Sequence, residues 1–164
     1  MADKENSLAN LKQLYSPLQK KYKLPAFSEL NDDFDVEKLQ DKETDHLLRL
    51  MRMVVIEKIA NVVRFLELLI NPSEAPTQLF IFAMLKNVKS DTRKEIEAIY
   101  KELSKIELSS LGLDIVYSEK EEAAFISDVS RVWNIEKPKI KDITKKLGMT
   151  WGKEAVEKER GYLG

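Results

Sequence analysis

The stretch that decides the fold is Leu47–Ile70, LLRLMRMVVIEKIANVVRFLELLI. At about 100° per residue, Leu48, Met51, Val55, Ile59, Val62, Leu66 and Leu69 fall on one stripe of a helix. A second row, Leu47, Leu50, Val54, Phe65 and Leu68, lies on the far side. Arg49, Arg52, Glu57, Lys58, Asn61, Arg64 and Glu67 break the apolar coat. A helix this apolar needs cover on more than one face, from other helices or from a partner chain. Its charges recur about once per turn, and each would cost several kcal/mol at a bilayer centre. The stretch therefore reads as a buried helix and not as a membrane span.

Moving outward toward the N-terminus, Asp35 is a plausible N-cap, so the central helix is predicted to run from about 35 to 70. Ala26 to Phe34 reads as a connector, stapled to the core by Phe27, Leu30 and Phe34. Before it, Ser7 precedes an amphipathic run of Leu8, Leu11, Leu14, Leu18 and Tyr22. Pro17 is expected to end or kink that helix near Tyr15.

On the other side, Asn71-Pro72-Ser73 stops the central helix, because proline removes a donor and restricts the residue before it. A helix is predicted over 75–87, apolar at Leu79, Phe80, Ile81, Phe82, Met84 and Leu85. Thr92 and Glu95 stand at capping-box spacing and open another, with Ile96, Ile99, Leu103 and Ile106 inward and Gly112 at its end. Ser118 and Glu121 form a second capping box before Phe125, Val129, Val132 and Trp133. Pro138 suits the first turn of a further helix with the stripe Ile140, Ile143 and Leu147, closed by Gly148. Residues 150–160 read as a last polar helix. The pattern predicts an all-α, single-domain helical bundle of about five to seven helices around one long central helix, about 35–70. Residues 1–34 are read as an N-terminal arm and 150–164 as a flexible tail.

Composition supports that class and narrows the chemistry. The chain has 164 residues, enough for one sizeable core, and only five Gly, all after Ser110. Absence of Cys removes disulfides, Cys-based zinc sites and thiol catalysis, and fits a cytoplasmic protein. The first residues, MADKEN, are polar and are not expected to act as a signal peptide. The net charge of −1 is unevenly spread: residues 29–45 hold eight acids against two bases, and residues 136–164 eight bases against five acids.

Catalytic and metal motifs fail one by one. The single His46 stands at Glu-x-x-His spacing from Glu43, but a di-iron bundle needs a second copy of that motif. Asn31, Asp33 and Asp35 alternate like calcium ligands, yet Val36 stands where the loop needs Gly and Lys42 where it needs Glu. The first two-thirds of the chain has no Gly for a phosphate loop. Glu121 and Glu122 are adjacent, point to different faces and read as surface. No catalytic residue, metal ligand or cofactor site is assigned.

Two kinds of surface remain. The segment 137–160 has the cadence of a helix-turn-helix, with Lys137, Lys139, Lys141, Lys145, Lys146 and Lys153 around it and Trp151 placed to stack on a base. Glu154, Glu157 and Glu159 oppose phosphate binding there. The second surface is apolar: Leu50, Val54, Phe65, Leu68, Phe80 and Phe82 are candidates for self-association. The sequence thus points to a non-enzymatic interaction protein with a protein partner or a homodimer. Nucleic-acid binding is the alternative, an enzyme of carboxylate or metal chemistry is the third reading, and no membrane role is expected.

Overall fold

The structure is a computed structural model that describes the backbone of residues 2–42, 44–72, 85 and 88–161, and the side chains of 7–42, 44–72, 85 and 88–149. The fold is all-α, as the periodicity predicts. Helix α1 runs Ala2–Tyr22, α2 Phe27–Phe34, and a 3-10 turn follows at Val36–Leu39. Then come α3, Leu47–Ile70, α4, Ser90–Ile115, and α5, Glu119–Gly161. No strand occurs among the described residues. The predicted helix over 75–87 lies outside them, except for Leu85, which is buried.

The chain divides into two compact units, residues 1–60 with 105–133, and residues 61–104 with 134–164. The division falls inside α3, α4 and α5. In the first unit α1 buries Leu11 and Tyr15, α2 buries Leu30 and Phe34, and α3 adds Leu48, Met51, Val55 and Ile59. The Tyr15 hydroxyl donates to the Pro25 carbonyl at 2.8 Å, which fixes the chain reversal between α1 and α2. Phe34 packs on Trp133 of α5 with ring centroids 5.5 Å apart. In the second unit Leu66 and Leu69 of α3, Ile96, Ile99 and Leu103 of α4, and Ile143 and Leu147 of α5 are buried. Val63 is buried there and Val62 is only half-buried, so the α3 stripe is one residue off at that point.

Several boundaries differ from the sequence reading, each for a local reason. The central helix begins at Leu47 and not near 35. Asp35 is left-handed, with φ 56° and ψ 42°, and its N–H bonds to the Asn31 carbonyl at 2.8 Å. It therefore ends α2 instead of starting α3. The Asn31 side chain accepts from the Glu37 N–H at 2.8 Å and carries the chain into the 3-10 turn. The expected connector at 26–34 is helical, and Glu29 accepts the Ala26 N–H at 3.1 Å, one half of a capping box.

Ser7 does not start α1 but sits inside it, donating to the Gln40 carbonyl at 2.7 Å and to Asp41 at 2.8 Å. Thr92 likewise lies inside α4, which starts at Ser90. Pro17 and Pro138 are both helix-interior. Each proline and the residue four before it, Gln13 or Asn134, are exposed, so water can reach the carbonyl left without a donor. Gly112 and Gly148 are also inside helices, and residues 119–161 form one helix of 43 residues where three were expected. Ser118 does open α5: its hydroxyl accepts the Glu121 N–H at 3.4 Å.

Candidate interaction surface

The interior of the first unit holds a charge that the sequence reading left outside. Arg52 of α3 is 2% exposed. Its Nε donates to Glu122 of α5 at 2.8 Å, Nη1 to the Ser110 hydroxyl of α4 at 2.7 Å, and Nη2 to Asp114 of α4 at 2.6 Å. One guanidinium thus joins three helices through its planar fork of donors. Burial works against the charge, but the hydrogen bonds to Asp114 and Glu122 outweigh it, and the Arg52 pKa rises above its ordinary value. Glu122 is fully buried, and its Oε1 has no hydrogen-bond partner among the described residues. The helical bookkeeping could have found both residues. Arg52 lies about 40° from Leu48, inside the apolar stripe, and Glu122 lies mid-stripe with Ile126, Val129 and Trp133. Of the two adjacent acids, only Glu121 is on the surface.

A second polar group lies at the start of α5. Glu119 accepts from Lys21 at 2.9 Å and from the Tyr22 hydroxyl at 2.7 Å. Those two bonds lower the Glu119 pKa. The Tyr22 and Glu119 bonds raise that of Lys21. Tyr117 stacks on His46 with centroids 4.2 Å apart, and its pKa is raised by burial first and then by Glu119 and Glu122. His46 therefore packs on an aromatic ring. No three His, Cys, Asp or Glu side chains gather as a metal site among the described residues.

The same end of α4 that receives Arg52 turns an apolar edge outward. Leu108 is 70% exposed, Leu111 62%, Ile115 83% and Val116 67%. The first three stand at i, i+3 and i+7, so they share one helix face. Soluble proteins scatter single exposed aliphatics, but a contiguous row marks an interaction site. Gly112 sits within this row, and among the described residues, apart from its chain neighbours and its own helix backbone, nothing lies within 4 Å of where its Cβ would be. The inner face of the same helix carries Leu103, Ile106 and Ser110, so the outward row is additional to the core stripe. In the sequence, the expectation that Gly112 ends the helix separates Ile115 from Leu108 and Leu111.

The predicted surface residues are distributed differently. Leu50 and Val54 in the first unit, and Phe65 and Leu68 in the second, are half-buried. Phe80 and Phe82 lie outside the described residues. The segment 137–160 is continuous helix, so the turn of a helix-turn-helix is absent. Lys139 bonds Glu136 at 2.9 Å, and Lys146 bonds Asp142 at 2.6 Å. Lys137, Lys141 and Lys145 are exposed at i, i+4 and i+8, while the side chains of Trp151 and Lys153 lie outside the described residues. The second unit also holds a cavity of about 320 Å³ lined by Leu69, Ile70, Pro72, Leu85, Arg93, Ile96 and Glu97. No helix among the described residues is long and apolar enough to cross a membrane.

Comparison with known proteins found no family model, no curated protein and no solved structure that matches this chain.

Proposed function

We propose that this chain is a non-enzymatic, cytoplasmic interaction protein, a single all-α domain that binds a macromolecular partner or a second copy of itself. The observation that carries the reading is the outward row Leu108, Leu111 and Ile115 with Val116 beside it. Apolar anchors at i, i+3 and i+7 are the pattern by which one helix docks against another. The buried Arg52 joins α4 to α3 and α5 behind that row. A surface held on a rigid element loses less entropy on binding than one on a loop. The test is a comparison of baits in extract from the native host. Wild-type chain is expected to retain a partner that Leu111→Glu loses, while Lys145→Glu retains it. Identical capture by all three baits would contradict the reading.

Nucleic-acid binding is the second reading, supported by the exposed lysine ladder Lys137, Lys141 and Lys145. It predicts a gel shift that weakens steeply with salt and is lost on reversing those three charges.

A further inference from the structure

We infer that the occupant of the Leu108–Leu111–Ile115 row is a second copy of the same row, crossing antiparallel at Gly112. The inference rests on the docking reading above and names its partner. The row carries its own complement. Leu108, Leu111 and Ile115 project from the helix, and Gly112 makes a notch between them that no described residue fills. Gly112 stands in the last turn of α4, three residues before Ile115, and glycine is among the poorest helix formers, so it weakens that turn while no described neighbour packs on it. A close approach by another backbone supplies the need. Gly148 is equally open among the described residues, and the described neighbours on its face, Lys141, Thr144 and Lys145, are polar.

A two-fold axis requires one patch that fits itself. Placed between residues 111 and 112, the axis sets Leu111 of each copy over Gly112 of the other. It also sets Leu108 against Ile115. Knob meets notch at the centre, and aliphatic meets aliphatic on both flanks. The antiparallel sense aligns the helix dipoles favourably and keeps Lys105 away from its own copy, whereas a parallel crossing would bring the two Lys105 side chains together. Leu108, Leu111 and Ile115, 62–83% exposed, amount to roughly 400 Å² per copy, within the range of a monomer's largest patch. A symmetric pair then hides roughly 800 Å², below the standard interface size and in the range of weak contacts. The dimer is therefore expected to be weak, with dissociation in the micromolar range.

The chain has no Cys, so single cysteines report the geometry cleanly. Light scattering of the purified chain from about 5 to about 200 µM, a range chosen around that expectation, is expected to show a mass rising toward two chains. Leu111→Glu and Gly112→Trp, checked for unchanged helicity, are expected to stay at one chain. Under mild oxidation Leu111→Cys is expected to form disulfide-linked pairs with itself. Leu108→Cys and Ile115→Cys are expected to link only when the two variants are mixed. A one-chain mass across the whole range would overturn the second copy as occupant and leave the docking reading to the bait comparison. A dimer that survives Leu111→Glu, or Leu108→Cys linking to itself, would overturn the antiparallel crossing.

Discussion

Arg52→Met is the perturbation from which the structure yields the sharpest magnitude. Arg52 is 2% exposed and its partner Glu122 is fully buried, so the substitution leaves a carboxylate in the interior without its cation. Breaking a buried pair from one side costs about 3–5 kcal/mol. One oxygen of Glu122 already lacks a partner, which leaves little to soften the loss. The Asp114 arm adds less, because its side chain is 53% exposed and remains hydrated when the guanidinium goes. Arg52→Met is therefore expected to lose about 3–5 kcal/mol, a large share of the stability of a domain this size. The double variant Arg52→Met, Glu122→Leu removes both charges and is expected to recover most of that, since apolar replacements of buried pairs are near neutral. Asp114→Asn is expected to cost no more than about 1 kcal/mol. Urea denaturation at constant slope reads all three variants. A loss below about 1 kcal/mol for Arg52→Met would refute the reasoning, as would a double variant no more stable than the single.

Other outcomes follow from the same geometry. Ile59 is fully buried, so Ile59→Ala is expected to cost about 2–5 kcal/mol in denaturant titration. Ser118→Ala is expected to cost about 0.5–1 kcal/mol, the low end for an N-cap, because its bond to Glu121 is long at 3.4 Å; a larger melting shift would mean a stronger cap than the distance allows. Gly148→Ala is expected to stabilise the chain by up to about 1 kcal/mol, since the added methyl meets no described neighbour. The lowered pKa of Glu119 means that its bonds to Lys21 and Tyr22 stabilise the fold above the ordinary glutamate range, near about 4.3. That contribution is lost as pH falls through the folded value, so Glu119→Gln is expected to flatten part of the acid limb of a stability–pH curve.

The fold class was legible because helix periodicity survives any arrangement of partners. Leu48, Met51, Val55, Ile59, Leu66 and Leu69 are all buried as the stripe requires. Helix boundaries were less legible. Pro17 and Pro138 are local breakers, and each is overridden where buried or half-buried apolar residues flank it on both sides, Tyr15 with Leu18 and Trp133 with Ile143, whereas Gly112 stands one turn before the end of α4. Tertiary burial of Tyr15, Trp133, Ile143 and Leu147 outweighs a propensity cost of about 1 kcal/mol at a glycine and about 3 kcal/mol at a proline. Reading Gly112 as a terminus also hid the outward row of α4, because it assigns Ile115 to an apolar link, residues 113–117, and not to the helix face of Leu108 and Leu111. Arg52 and Glu122 were missed by residue type alone: charged side chains default to the surface unless paired, and the pair is 70 residues apart in sequence. The lysine cluster reads clearly in sequence, but salt partners such as Glu136 and Asp142 lie one turn away on the same helix and absorb two of its charges.

Site-specific photo-crosslinking tests the central claim most directly. A diazirine amino acid is placed at position 111 in the native host, and a second strain carries it at position 145. Illumination is expected to yield a discrete covalent adduct of the chain from position 111 and none from position 145. Adducts from 145 with none from 111 would contradict an apolar docking role for α4 and favour the lysine face, and equal labelling at both would show that the row is ordinary surface.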